Sequence, residues 1–262
     1  MALKQPNRLR QGPLMAKIEI PKSGKGIAAR VAGPTLKPKD AATLIIVRQD
    51  GPEPRILMGK RHQAHAFLPN LFVFPGGRVD MADSRVKPAN TLHPAVEAKL
   101  MARMRGKPSL GRAQALAMAA IRETFEETGF LIGKKADGPA RSAHTDWNEF
   151  LSTGMRPALE PLRYIARAIT PPGRTRRFDS RFFVLDAAHV NNLDNPVATA
   201  TDELLEINWL TFAGTEDLDL PWITRQVLKV VQERLNAKAE PDPGAPVMFQ
   251  YQRGKSWYSD EI

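Results

Sequence analysis

The sequence predicts a helix in which three carboxylates share one turn. Glu123, Glu126 and Glu127 lie just before Gly129, and at about 100° per residue they fall within about 100° of one another. Like charges at this spacing destabilise an isolated helix slightly, and a bound divalent cation would reverse that cost. Oxygen ligands of this kind suit Mg²⁺ or Mn²⁺. A solvated, charged helix face is the alternative interpretation.

A glycine turn upstream could bring backbone oxygen to the same cation. The apolar segment Phe72–Phe74 runs directly into Pro75, Gly76 and Gly77. Glycine lets the backbone approach a ligand closely, and a carbonyl in such a turn can face a metal. We therefore expect the carbonyl of Gly76 or Gly77 to complete the carboxylate site.

Together the two segments resemble the signature of the Nudix hydrolases, a loop, helix and loop that bind metal and diphosphate. The matching positions are the opening glycine Gly77, the pair Arg122 and Glu123, the paired glutamates Glu126 and Glu127, and the closing glycine Gly129. This spacing of charged residues and glycines is a highly specific motif.

The sequence departs from the signature in two ways. Asp83 stands where the family usually has a glutamate, and its shorter side chain leaves an equivalent role open. Arg122 follows Gly77 by 45 residues, whereas the family spacing is about 14, so an insert of about 31 residues, 84–114, splits the motif. The insert resembles that of the branch associated with hydrolysis of coenzyme A and its acyl esters. We expect it to lie beside the site and to shape the acyl or pantetheine end of a substrate, with a plain surface insertion as the alternative.

A second segment resembles the same branch. Ile165–Pro172 looks like its strand and Thr-Pro turn, and Arg176–Phe183 looks like its Arg-Phe-Asp segment. The resemblance covers roughly residues 40 to 235. It implies an α/β/α sandwich with a mixed sheet, in which the insert forms a helical excursion.

The resemblance also implies a reaction, the hydrolysis of a diphosphate linked to a nucleoside. Magnesium or manganese would be held by Glu123, Glu126 and Glu127 with Gly76 or Gly77, and would activate a water molecule as nucleophile. A carboxylate of this cluster, or Glu203 or Glu206 further along, would take the proton of that water. Arg122 would orient a glutamate through a bidentate pair, with a structural ion pair as the alternative.

Coenzyme A is the substrate that we expect, with ADP-ribose or another nucleotide as alternatives. Its additional phosphate calls for cations beyond the metal site, and a salt-bridged surface is the alternative role for such residues. The candidates are Lys60, Arg61, Arg174, Arg176, Arg177 and Arg181, with Asp179 as the expected internal partner of the arginines.

Composition places few limits on this interpretation. The 262 residues are 42% hydrophobic, carry a net charge of +10 and contain no cysteine, which excludes disulfides and thiolate metal sites. We expect a basic arm at 1–40, a Nudix domain at 41–238, and a Pro-rich linker and tail at 239–262. Without a signal-peptide core or an apolar span, we expect a cytoplasmic protein that binds a small nucleotide-linked substrate, not a membrane. The sequence leaves open whether the protein forms a homodimer. It also leaves open a second function, that of a catalytically weak domain that binds nucleic acid through the arm.

Periodicity and capping residues predict the main elements. Ser109 and Gly129 have the residue types of a helix N-cap and C-cap. The predicted helices are Ala95–Met104, Leu110–Thr128, Thr145–Ser152 and Trp222–Ala237. The predicted strands are Thr43–Val47, Arg55–Arg61, Leu71–Phe74, Leu162–Thr170, Arg181–Leu185 and Glu206–Leu210.

Overall fold

A computed structural model describes residues 16–19, 35–61, 71–138, 140–142, 144–199, 203–237 and 242–262. Most of the predicted basic arm, residues 62–70 and residues 200–202 lie outside the described part of the chain. The division of the chain into arm, domain and tail therefore stays a prediction.

The described residues form twelve strands and four α-helices. The strands are β1 Ala16–Ile18, β2 Lys39–Arg48, β3 Arg55–Arg61, β4 Phe72–Val73, β5 Gly76–Arg78, β6 Gly133–Lys135, β7 Met155–Pro157, β8 Arg163–Ile169, β9 Phe178–Asp186, β10 Leu204–Thr211, β11 Met248–Arg253 and β12 Ser256–Glu261. The helices are α1 Pro94–Met101, α2 Leu110–Thr128, α3 Thr145–Ser152 and α4 Trp222–Asn236.

Ten of these strands make one mixed sheet. Its order is β1-β12-β11-β8-β9-β2-β3-β10, with β4 paired to β3 and β5 paired to β2. The pairs β2·β9 and β8·β11 are parallel, and the other pairs in this sheet are antiparallel. Helices pack on both faces, so the predicted α/β fold with a mixed sheet is confirmed.

Strand alternation divides the core between the two faces. Ala42, Leu44 and Ile46 of β2 point toward α1, α2 and α3, whereas Ile45 and Val47 point toward α4. Both sets are buried in separate hydrophobic clusters. Because β2 lies between β9 and β3 in the sheet, it has the unbroken apolar run of a strand covered on both sides.

The long helix that carries the carboxylates has the predicted bounds, and so does α3. The Ser109 hydroxyl accepts a hydrogen bond from the backbone N–H of Arg112, and Gly129 ends the helix in the left-handed conformation with φ of 73°. Helix α1 ends at Met101, three residues earlier than predicted, because Ala102 is extended and Arg103 has a positive φ of 60°. Such a break stops the helical hydrogen bonding.

The C-terminal residues form a hairpin in the region where the sequence predicted a Pro-rich linker and tail. Strands β11 and β12 pair with each other around Gly254, whose φ is 60°, and β11 runs parallel to β8. Arg103 from the insert lies over the Phe249 ring and pairs with Asp260 at 2.5 Å. The hairpin is therefore part of the main sheet.

The insert packs beneath this sheet. Leu92, Val96, Leu100 and Met104 are buried in the same cluster as α2. The Arg112 side chain extends to the edge of β2 and pairs with Asp40 at 3.0 Å. These contacts give residues 84–114 a structural role in the core.

Substitution of Gly129 by alanine tests how the helix that carries the carboxylates ends. A Cβ at this position would lie 1.9 Å from the Val197 carbonyl oxygen, whereas one at Gly154, with a similar φ of 77°, would meet nothing within 4 Å. We expect Gly154→Ala to lower the free energy of unfolding by about 1–2 kcal/mol from backbone conformation alone. Gly129→Ala should cost at least about twice as much, since it adds overlap with a backbone atom. Urea unfolding of both variants checks this, and equal losses would contradict the described helix end.

Candidate active site

The carboxylate helix is held in place by a buried arginine. The guanidinium of Arg122 donates to both oxygens of Asp83, through Nε at 2.8 Å and Nη2 at 3.2 Å. Its Nη1 lies 2.8 Å from Glu126 Oε1 and 3.0 Å from Glu123 Oε1, and Nη2 also donates to the Arg78 carbonyl at 3.0 Å. One cation thus fixes three carboxylates, those of Asp83, Glu123 and Glu126, and the end of the glycine turn.

The Asp83 carboxylate is buried and accepts hydrogen bonds from several donors. It is 1% exposed, and besides Arg122 it accepts from the indole Nε1 of Trp147 at 2.9 Å and from the backbone N–H of Asp80 at 2.7 Å. Trp147, on α3, is completely buried. A glutamate at this position would add one methylene, and the enclosing residues would have to rearrange to accommodate it. Asp83 therefore positions Arg122, a role that its identity alone did not reveal.

The glycine turn lies directly against two of the glutamates. The Gly76 N–H donates to Glu127 Oε2 at 3.0 Å, and the φ of Gly76 is 151°. A Cβ on Gly77 would lie 2.3 Å from Glu123 Oε2. The lack of side chains is therefore what lets this backbone approach the carboxylates.

Burial perturbs all three glutamates of the helix. It raises the pKa of Glu123 and the pKa of Glu126, the latter to about 8, and Arg122 counteracts it at both residues. Burial and the nearby charge of Glu123 raise the pKa of Glu127 well above its ordinary value. The cluster holds more negative groups than Arg122 can compensate, an electrostatic setting that favours a bound cation.

The residues fit a divalent cation in chemistry, although no complete site is assembled. Among the described residues, no three Asp, Glu, His or Cys side chains are grouped around one point. Glu123 and Glu127 lie on either side of the glycine turn, whereas Glu126 is held by Arg122. Hard oxygen donors next to side-chain-free backbone suit Mg²⁺ or Mn²⁺, and small rotations of the carboxylates would be needed to bring them together.

A cavity of about 1200 Å³ opens from this cluster. Gly76, Gly77, Glu123 and Glu203 line one part of it. Glu203, at the start of β10, is half-buried and accepts from Arg61 Nη2 at 3.2 Å. Glu126 and Glu127 do not line the cavity in this conformation, and Glu127 lies behind Gly76.

The predicted basic residues separate into two groups. Arg61, Arg174, Arg176 and Arg177 line the cavity, and Lys37, Lys39 and Arg78 join them there. Seven cationic residues and two glutamates thus line the cavity. This surplus would attract a ligand with several negative charges.

Lys60 and Arg181 are placed elsewhere. Lys60 lies 4.0 Å from Glu206, outside the cavity lining, because side chains alternate along β3 and Arg61 takes the cavity side. Arg181 is 1% exposed and pairs with Asp40 at 2.7 Å and with Asp179 at 3.2 Å. These contacts give both residues ion-pair roles, in place of the predicted contact with substrate.

The insert also lies away from the site. None of the residues 84–114, all of which are described, lines the cavity. The expectation that the insert shapes one end of the substrate is therefore not supported. The opposite wall instead comes from residues that sequence reasoning missed, Trp222 of α4 and Gln250 and Trp257 of the C-terminal hairpin. The hairpin turn at Gly254, between two segments rich in aromatic residues, is the signal that could have revealed the strands.

Comparison with known proteins supports the resemblance found in the sequence. No protein-family model matches the chain. A Caenorhabditis elegans protein named "Putative nudix hydrolase 7" is 29% identical over 166 residues, which cover 60% of this chain and 46% of that protein. The chain therefore spans less than half the length of this relative.

A solved structure shares the architecture. The crystal structure of a Nudix hydrolase from Alicyclobacillus acidocaldarius matches with a TM-score of 0.54 and 26% identity, covering 75% of this chain and 92% of that one. In sequence and in architecture the chain is therefore similar to Nudix hydrolases. A MutT Nudix hydrolase from Burkholderia pseudomallei superposes with a TM-score of 0.43 and 18% identity, covering 75% of this chain and 99% of that chain. In the part of the chain that the structure describes, no helix is both long and apolar enough to cross a membrane.

The raised pKa of Glu126 predicts how stability depends on pH without metal. The folded protein keeps this proton up to about pH 8, whereas an unperturbed glutamate releases it near 4.5. The contribution of Glu126 to the free energy of unfolding therefore falls as the pH rises from about 4.5 to about 8. Melting temperatures measured in EDTA across this range should fall more steeply for the wild type than for Glu126→Gln. Parallel curves would contradict the described burial, and exposed Glu149→Gln serves as the control.

Proposed function

We propose that the chain is a metal-dependent diphosphatase that hydrolyses a nucleoside diphosphate-linked compound, with coenzyme A or an acyl-coenzyme A as substrate. The cavity is the observation that carries this proposal. It joins the carboxylate and glycine cluster to seven cationic residues, more than a diphosphate alone would require. A coenzyme A compound supplies a diphosphate for the cluster and a further phosphate on its ribose.

The metal residues would be Glu123, Glu126 and Glu127, with a carbonyl of Gly76 or Gly77. When bound, Mg²⁺ or Mn²⁺ would supply positive charge for the diphosphate and increase the acidity of the attacking water. Arg122 acts as a positioning residue, because its guanidinium is buried and contacts two of these glutamates and Asp83.

Glu203 is the carboxylate best placed to take a proton. It lines the cavity beside Glu123, and Arg61 holds one of its oxygens. In the proposed step the water oxygen attacks phosphorus, a proton passes to Glu203, and the bond from phosphorus to the bridging oxygen breaks. Positioning and charge neutralisation are sufficient for this chemistry, so no covalent intermediate is required. Hydrolysis of coenzyme A would give 4′-phosphopantetheine and adenosine 3′,5′-bisphosphate.

The arginines after β8 are the proposed site for the ribose phosphate. Arg177 is held by the carbonyls of Thr170 and Leu36, whereas Arg176 is exposed at the cavity. A charge-assisted contact contributes about 1.5–3 kcal/mol, which corresponds to a preference of tenfold or more. Arg174 and Lys39 also line the cavity and would add to the attraction.

The substrate is tested by comparing kcat/KM for coenzyme A, its 3′-dephospho form and ADP-ribose. We expect coenzyme A to be preferred over the dephospho form by about tenfold or more. Arg176→Ala should reduce that preference, and Arg85→Ala, which removes the same charge from an exposed position of the insert, should preserve it. Glu127→Gln should lower turnover of every substrate by orders of magnitude.

Other outcomes would assign a different function. Equal values for coenzyme A and its dephospho form, or a clear preference for ADP-ribose, would exclude the proposed substrate and leave diphosphate hydrolysis in place. Absence of turnover across a nucleotide panel with both metals would instead favour a binding module.

A further inference from the structure

The wall of the cavity contributed by α4 and the C-terminal hairpin differs in chemistry from the rest. Trp222 is the first residue of α4 and Trp257 lies on β12. Their ring centroids are 6.3 Å apart, with 54° between the ring planes. Both rings line the cavity and are partly exposed. Two indoles that open onto a cavity with seven cationic residues offer flat apolar surface for an uncharged part of a ligand.

Gln250 is a buried polar side chain on the same wall. It is 3% exposed and lines the cavity, and its amide oxygen has no hydrogen-bond partner among the described residues. Its amide nitrogen contacts the Met248 sulfur, a weak acceptor, at 3.4 Å. Buried side-chain polar atoms nearly always have a partner, so this amide is suited to a ligand that offers both a donor and an acceptor.

The strand register brings the amide and the indole to one face. Gln250 is paired with Ser259, and Gln252 is paired with Trp257, in the antiparallel hairpin. Directly paired residues share a face of the sheet, so Gln250 and Trp257 are diagonal neighbours on the side that α4 covers. Phe249 and Tyr251 point to the opposite face, where Arg103 packs on both rings.

We propose that Trp222, Trp257 and Gln250 form a nucleobase subsite. The indoles would stack on the base, and the Gln250 amide would pair with its edge. Aromatic side chains bind bases through their flat faces, and a glutamine amide matches the adjacent donor and acceptor of adenine. The cations lie on other elements of the same cavity and would hold the phosphates, which leaves this wall for the uncharged part of a nucleotide.

This subsite deepens the proposed function and rests on it for the identity of the natural ligand, but binding can be measured without catalysis. The probes are ADP and inorganic diphosphate, titrated calorimetrically into the full chain in EDTA. We expect ADP to bind at least about tenfold more tightly than diphosphate, and either Trp222→Ala or Trp257→Ala to weaken ADP binding by about fivefold or more. Diphosphate affinity should be unchanged in both variants.

Gln250→Met is the sharper variant because it changes the shape little. It should weaken ADP binding and leave diphosphate binding unchanged, whereas Gln252→Met, on the same face but outside the cavity lining, should affect neither. If a tryptophan variant fails to fold, as judged by its circular dichroism, the Gln250→Met comparison decides. Unchanged ADP affinity in Gln250→Met, or equal ADP and diphosphate affinities in the wild type, would overturn the subsite.

The proposed subsite and the proposed enzymatic function can be contradicted independently of each other. A protein that binds ADP through these residues but hydrolyses no substrate supports the subsite and removes the enzymatic proposal. A protein that hydrolyses coenzyme A while the tryptophan and glutamine variants bind ADP normally supports the enzyme and overturns the subsite.

Discussion

The contact between Arg122 and Asp83 is the interaction on which the rest of the site depends. Both residues are almost completely buried, and the arginine links Asp83 to Glu123, Glu126 and the backbone at Arg78. Removing one partner of a buried ion pair leaves an uncompensated charge, which is far more costly than the pair itself is stabilising. The carboxylate helix, the glycine turn and the short turn that carries Asp83 are therefore fixed relative to one another by a single guanidinium.

This arrangement also explains why a long insert is tolerated in the middle of the motif. The insert begins after Asp83 and ends in the first turns of α2. The ion pair between Arg122 and Asp83 therefore connects the two parts of the motif that the insert separates. Its apolar residues pack beside α2, and Arg103 joins the C-terminal hairpin. The insert extends the core, and the motif retains the geometry that Arg122 imposes.

Local signals predicted much of the fold from the sequence. The bounds of α2 follow from Ser109 and Gly129, whose cap interactions depend on a few neighbouring atoms. The carboxylate helix and the glycine turn were likewise recognisable, and the structure brings them together. The placement of Lys60 and Arg181 could not be predicted, since the face of a strand on which a charge lies depends on partners distant in sequence, such as Asp40 and Glu206.

The wall formed by the C-terminal hairpin was missed for the same reason. The position of β11 in the main sheet depends on its parallel pairing with β8, and that pairing joins segments about 80 residues apart. Gln250 has no local pattern that marks it as buried and without a hydrogen-bond partner. Its environment exists only after the hairpin has joined the sheet and α4 has covered that face.

Anomalous diffraction from crystals soaked in Mn²⁺ is the sharpest test of whether the carboxylates around Arg122 bind a divalent cation. We expect a peak beside Gly77, at a coordination distance of about 2.1 Å from oxygens of Glu123 and Glu127. The peak should be lost in Glu123→Gln crystals and retained in Glu149→Gln crystals. A peak elsewhere in the cavity with none at these carboxylates, in crystals of active protein, would show that the carboxylates are not the metal site.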